Sequence, residues 1–276
     1  MTPAEARDAF ARSLTTPEAE MDLAEGALLI AAEEYPQLRI GAYLDQMARM
    51  AEELRDAVGG EIVPARVVER CNAFFFEDQG FKGNADDYYD PRNSYLNEVL
   101  DRRLGIPITL SVIYVAVGER AGLPVKGVGM PGHFMVTYAP RSAEGQMFID
   151  PFHGKVRTRE ECATMLAEMY GEAVPMRPGF LEPSPKRQIL ARILNNLKGI
   201  YMGKGDLARA LAASDRIMLA NPHATAEWRD RGMIEYRLHR DQAALRDFAR
   251  YLEVRPEPED AARIRQLRNE LLGRLN

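Results

Sequence analysis

"GIPITLSVIYVAVGERAGLPVKGVGMPGHFMVTY" (Gly105–Tyr138) contains two periodicities with a glycine break between them. From Pro107 to Gly118 the residues are apolar on nearly every side, the pattern of a helix buried at the centre of a domain. Pro107 suits its first turn, where a missing N–H costs nothing. After Gly122 the pattern turns strand-like. "VKGVGM", "HFMVTYA" and, further on, "MFIDPF" are short and β-prone, split by Pro, Gly and a polar turn at residues 140–146. A small antiparallel sheet packed on one buried helix is expected. His133 opens one of its strands and Asp150 closes another, the layout of a base and the carboxylate that orients it.

Upstream, the first hundred residues read as helix. Thr16-Pro17-Glu18 is taken as a helix start, and "LRIGAYLDQMARMAEELRDAVGG" carries helical spacing with a Gly-Gly stop. A further helix is expected from Pro64. Residues 80–91, "GFKGNADDYYDP", have loop composition. "DDYYD" lacks the glycine and closing glutamate of a calcium loop, so a solvated, tyrosine-pinned loop is expected there. Asp90, Asn93 and Ser94 read as caps of the next helix, which closes at Gly105. Downstream, Thr158 and Glu161 form a capping box for a helix over "REECATMLAEMYG".

Residues 178–186, "PGFLEPSPK", read as a linker between a first domain, 1–177, and a helical region, 187–276. In the latter, "ALAASDRIMLANP" (Ala210–Pro222) aligns with "ALRDFARYLEVRP" (Ala244–Pro256) at an offset of 34 residues, the tetratricopeptide period. Trp228 and Tyr236 fall in the first helix of the second unit. Two repeats are fewer than usually stand alone, so they are expected to lean on the terminal helix and on the N-terminal domain.

The 276 residues, 46% hydrophobic and 28% charged with a net charge of −5, describe an ordinary globular chain with no basic block for nucleic acid or an anionic membrane. "MTPAEARDAF" has no signal-peptide pattern, and no apolar run is long enough to span a bilayer. Cys71 and Cys162 fit neither a disulfide framework nor a metal spacing. A reduced, cytoplasmic protein is expected. No Gly-rich phosphate loop follows a strand, and no zinc motif is present, so neither cofactor nor metal is expected.

Four motifs, "DPRNSYLNEVL", "RRLGIPITLS", "PGHF" and "IDPF", together with the order of buried helix, His strand and Asp strand, resemble the transglutaminase-like superfamily of papain-type folds. Within it they resemble the SirB-type bacterial family, which joins such a domain to a C-terminal tetratricopeptide pair. A related domain occurs in an animal F-box protein. The resemblance implies an α+β, mostly helical fold and a Cys-His-Asp triad in which His133 and Asp150 take the His and Asp places. It places the thiol at the start of the central helix, where this chain has Pro107. Cys71 lies far upstream in a helical apolar pattern, and Cys162 lies on the helix after the sheet.

The nearest hydroxyls are Ser111, one helical turn inward by about 5.4 Å, and Thr109. Catalytic geometry tolerates about 0.5 Å, and Ser111 is expected to bond back to its own helix. His153 reads as a turn residue. Asn93, Arg103 and Thr109 are candidate binding residues beside the cleft, with Arg102 and Arg103 expected in salt bridges to Asp86, Asp87 or Asp90. The favoured reading is a non-catalytic transglutaminase-like binding or scaffold module for a peptide or protein partner. The rival is an amide or ester hydrolase or acyltransferase using His133 and Asp150 with Ser111 as nucleophile.

Overall fold

A computed structural model of the chain describes residues 1–140, 146–171, 174–255 and 259–275. The chain divides into two compact units, Met1–Ile189 and Leu190–Asn276.

The first unit is built around α6, Pro107–Arg120, in which every residue from Pro107 to Gly118 is buried. A helix with no polar face must be covered on all sides. Part of that cover comes from α2 (Leu23–Ala32), α3 (Ile40–Val58) and α5 (Leu96–Arg102), which pack directly on it. Helices α1 (Pro3–Ser13) and α4 (Pro64–Asn72) lie outside these, α1 on α2 and α4 on α3. α3 ends where Gly59 takes the left-handed conformation at φ 58°, which only glycine adopts cheaply. α4 continues into one π-helical segment, Ala73–Asp78, whose Phe75 ring stacks on Tyr114 of α6 at 4.3 Å.

A four-stranded antiparallel sheet covers another side of α6, in the order β3 (Val125–Met130), β4 (His133–Tyr138), β5 (Met147–Asp150) and β6 (Lys155–Arg157). Helix and sheet approach closely at Gly118, where a Cβ would lie 2.6 Å from Val125 Cγ2. Pro131 and Gly132 form the two-residue β3–β4 turn. Gly132 at φ 70° after a proline is the type II pattern, and it fixes the register that pairs His133 with Met130. Met130, Met135 and Phe148 pack with Cys162 and Leu166 of α7, Arg159–Tyr170. The expected Thr158–Glu161 capping box opens α7. Of the polar turn at residues 140–146, residues 141–145 lie outside the described residues.

Several local expectations need correction. Thr16-Pro17 does not start a helix: Pro17 sits in a turn, and α2 begins after Asp22, whose carboxylate accepts from the Ala24 and Glu25 N–H groups. A carboxylate directly before the apolar run makes the better N-cap. Asn93 and Ser94 do not cap α5. They lie in a 3-10 turn, Pro91–Ser94, that Asp90 caps, and α5 ends at Arg103 with φ 60°. Gly105 belongs instead to β2 (Leu104–Gly105), which pairs in parallel with β1 (Lys82–Gly83) inside the stretch read as loop. The stretch 178–186 lies along the edge of β3, where the Ser184 hydroxyl accepts from Gly129 N–H at 3.0 Å and Ser184 N–H donates to the Gly127 carbonyl.

The second unit contains most of α8 (Lys186–Lys204), then α9 (Leu207–Ala220), α10 (Thr225–Arg237), α11 (Asp241–Val254) and α12 (Ala261–Leu275). Ala210, Ser214 and Ile217 of α9 are buried, as are Ala244, Phe248 and Tyr251 of α11, the same positions one 34-residue period on. Phe248 and Tyr251 anchor a cluster with Ile264 and Leu271 of α12, against which Trp228 and Tyr236 of α10 pack. Pro256, the terminal proline of the second repeat, lies outside the described residues. Among the described residues no helix is long and apolar enough to cross a membrane.

Gly83 abuts the ring of Phe152, and a Cβ there would fall 2.5 Å from Cδ2. Gly83→Ala should destabilise the protein by about 1–3 kcal/mol through overpacking, measured by urea unfolding. Unchanged stability would mean that the ring moves aside without cost.

Candidate functional site

The site is assembled at the ends of β4 and β5. His133 is held at the start of β4 by the Pro131-Gly132 turn, and Asp150 is the last residue of β5. The chain turns back at once through Pro151-Phe152-His153-Gly154. Asp150 Oδ1 accepts from the N–H groups of Phe152 and His153 at 3.2 and 3.3 Å, an aspartate holding its own turn. Gly154 closes it at φ 65°.

That turn brings His153 back onto Asp150. The carboxylate is fully buried, with His133 Nε2 3.1 Å from Oδ1 and His153 Nδ1 2.7 Å from Oδ2. Arg157 Nη2, on β6, lies 3.8 Å from Oδ2. Burial alone would raise the Asp150 pKa. The close approach and charge of His133, then the hydrogen bond and charge of His153, outweigh it and bring the pKa from 3.8 down to about 2. His133 is buried beside it, whereas the His153 side chain is 49% exposed. His153, read as a turn residue, is indeed in a turn, and its side chain is the third member of the site. The signal available in the sequence was Asp-Pro-Phe-His-Gly, an aspartate that can hold a turn and a glycine that can close one.

A run of contacts joins this centre to the start of α6. Phe152 packs edge-on against His153 and Tyr88 and lies against Gly83. Gly83 pairs with Gly105, two residues before Pro107. Asn93 donates to the carbonyls of Asp87 and Tyr88 and accepts from Asn84 and Arg102. Thr109 Oγ1 donates to the Asn93 carbonyl at 2.7 Å and accepts from Ile106 N–H at 3.2 Å. Asn93 and Thr109 are thus fully buried, with their polar groups engaged within the protein. The tyrosines differ: Tyr88 rests on Phe152, but Tyr89 is 71% exposed, so only one of them pins the loop.

Pro107 is buried at the first position of α6. Ser111 is also buried, and among the described residues its Oγ has no hydrogen-bond partner, so it does not bond back to its helix. Neither Ser111 nor Thr109 hydrogen-bonds to His133. Both cysteines are buried as well, and burial pushes each thiol up to about 11, away from the thiolate form. Arg102 meets the salt-bridge expectation, 3.6 Å from Asp90. Arg103 does not: its guanidinium lies 4.6 Å over the Phe81 ring, and burial lowers its pKa. Its left-handed backbone at the end of α5 accompanies that packing.

Comparison with known proteins places a transglutaminase-like superfamily domain over residues 41–195 and tetratricopeptide repeats over residues 197–269. A UPF0162 protein of Xylella fastidiosa is 37% identical over 258 residues, covering 92% of this chain and 91% of that one. Protein SirB1 of Salmonella typhimurium is 25% identical over 217 residues, 77% of this chain and 79% of that one. F-box only protein 21 of Mus musculus is 35% identical over 149 residues, 51% of this chain but 23% of that much longer protein. The chain belongs to the transglutaminase-like superfamily, in the SirB-type family that couples this domain to tetratricopeptide repeats.

A carboxyl with a depressed folded pKa stabilises the fold fully above its unfolded value and loses that contribution as pH falls through the folded one. For Asp150 the window runs from about pH 4 down to about pH 2. Asp150→Asn should be less stable than wild type at neutral pH. The gap should close by about 2 kcal/mol across that window, read from urea unfolding at a series of pH values. A gap that stays constant would contradict this account of the carboxylate.

Proposed function

We propose that the chain is a non-catalytic transglutaminase-like protein that works as a binding or scaffold module for a peptide or protein partner. The observation that carries this reading is Pro107 at the first position of α6, the place the resemblance gives to the superfamily's nucleophile, in a chain that keeps the His133–Asp150 pair. Proline offers no nucleophile, and the two thiols are buried and held protonated. A hydrolase built on Ser111 finds no support in its buried, unbonded hydroxyl. A cytoplasmic setting suits two free, reduced cysteines.

The surface around His153 offers binding chemistry of its own. Tyr88, Tyr89 and Phe152 form an aromatic edge next to His153, with Tyr89 exposed. Aromatic side chains of this kind are enriched where proteins meet peptides and one another. The repeats add a surface of the type that generally receives a protein partner.

Two assays on the full chain test the proposal. With an activated acyl ester, or with a glutaminyl peptide plus an amine, wild type and His133→Ala should give the same background rate. Turnover that depends on His133 would sink the non-catalytic reading. Peptides selected from a display library against the wild-type protein should bind Tyr89→Ala about tenfold more weakly. If no peptide is selected, or Tyr89→Ala binds equally well, this aromatic edge is not the binding surface.

A further inference from the structure

More nitrogen gathers around Asp150 than an orienting aspartate uses. In a Cys-His-Asp arrangement the carboxylate holds one imidazole; here it meets two, from His133 and His153. The rings are nearly parallel, 27° between planes with centroids 6.2 Å apart, and the carboxylate joins one nitrogen of each. One ligand atom from each of the three side chains lies within 4.8 Å of the other two, and among the described residues no other three His, Cys, Asp or Glu side chains come together in this way. We propose that His133, Asp150 and His153 form a binding site for one divalent transition-metal ion of the zinc, cobalt or nickel kind. This stands whether or not the cleft turns over a substrate.

The donor set selects that class. Two imidazoles and one carboxylate suit borderline ions, whereas calcium and magnesium prefer all-oxygen shells. A tetrahedral ion with bonds of about 2.1 Å holds its ligand atoms about 3.4 Å apart. The His133 and His153 nitrogens approach different oxygens of Asp150, at 3.1 and 2.7 Å, and one ligand atom from each side chain lies within 4.8 Å of the other two, so no separation has to change by more than about 1.5 Å to admit the ion. His153 can supply most of that movement, because half of its side chain faces solvent while His133 and Asp150 are held in the interior. The same exposure provides the entry path and leaves a position for water on the ion. An imidazole coordinates through a ring lone pair, so any proton on a coordinating nitrogen moves to the other ring nitrogen or leaves to solvent.

The supporting shell is already built. The N–H groups of Phe152 and His153 fix the carboxylate through Oδ1. Arg157, 3.8 Å from Oδ2, places positive charge beside the site and holds its affinity below that of an unopposed three-ligand centre.

The test uses the full chain stripped with a chelator and titrated with Co(II), followed by visible absorption, and with Zn(II), followed by calorimetry. Wild type should take up one ion per chain. His153→Ala, a half-exposed position whose fold is checked by circular dichroism, should lose saturable uptake. The double variant His223→Ala/His239→Ala, which removes the chain's other two histidines, should bind like wild type. No saturable uptake by wild type overturns the proposal, and so does uptake that survives in His153→Ala. No turnover is read, so failure here leaves the non-catalytic reading standing, and failure of that reading leaves this one standing.

Discussion

A carboxylate with no contact to water keeps its charge only if the protein replaces every hydrogen bond that water would have made. Asp150 is such a group, and the sheet around it is arranged to meet that demand. β5 has to stop at residue 150, so that the following turn can aim two backbone N–H groups at Oδ1. β4 has to begin at His133, which the Pro131-Gly132 turn enforces. β6 has to run back beside β5, with Lys155 opposite Asp150, and this puts Arg157 within reach of the carboxylate. The short strands and tight turns therefore depend on one ionised side chain, and the side chain depends on them.

The second constraint is α6. Because it is apolar all round, it cannot lie at a surface, and the helices and the sheet of the first unit are stacked to enclose it. A helix N-terminus presents unsatisfied N–H groups and a partial positive charge, the field that stabilises a thiolate where one is present. Here part of that end is engaged by the protein itself. Pro107 contributes no N–H, Thr109 Oγ1 accepts from the Ile106 N–H, and the same hydroxyl donates to the Asn93 carbonyl. The Ile106 N–H and the Thr109 hydroxyl at this end are thus both engaged within the protein.

Much of this could be read from residue pattern. α6, the capping box of α7, the Gly59 stop and the 34-residue repeat are all local signals, in which sequence spacing maps directly onto one element. What escaped was non-local or compensated. The β1–β2 pairing joins Lys82 to Leu104 through backbone alone, and no side-chain pattern marks it. β6, Lys-Val-Arg, is too short and polar to register as a strand without its partner. α2 starts six residues after Pro17, because a carboxylate cap at Asp22 outcompetes a proline that serves a turn instead. The site was half legible. His133 and Asp150 lie on short apolar strands that the residue pattern marks, while His153 reaches Asp150 only through the geometry of a tight turn.

The presence of a paired His133 and Asp150 is weak ground for inferring catalysis, for an energetic reason. Removing one partner of a buried ionic pair costs about 3–5 kcal/mol, because the other charge is left unsolvated. That is a large share of the roughly 5–15 kcal/mol by which a domain is stable. Once the first unit is built around an ionised Asp150, folding alone holds the imidazoles in place, with or without a thiol at the head of α6. A nucleophile is under no such structural obligation. Proline at position 107 keeps the helix start, the burial and the hydrogen-bond closure through Thr109 intact. The two halves of a triad therefore differ in what they cost to lose, and a chain can give up the reactive half while the buried half stays fixed by its own electrostatics.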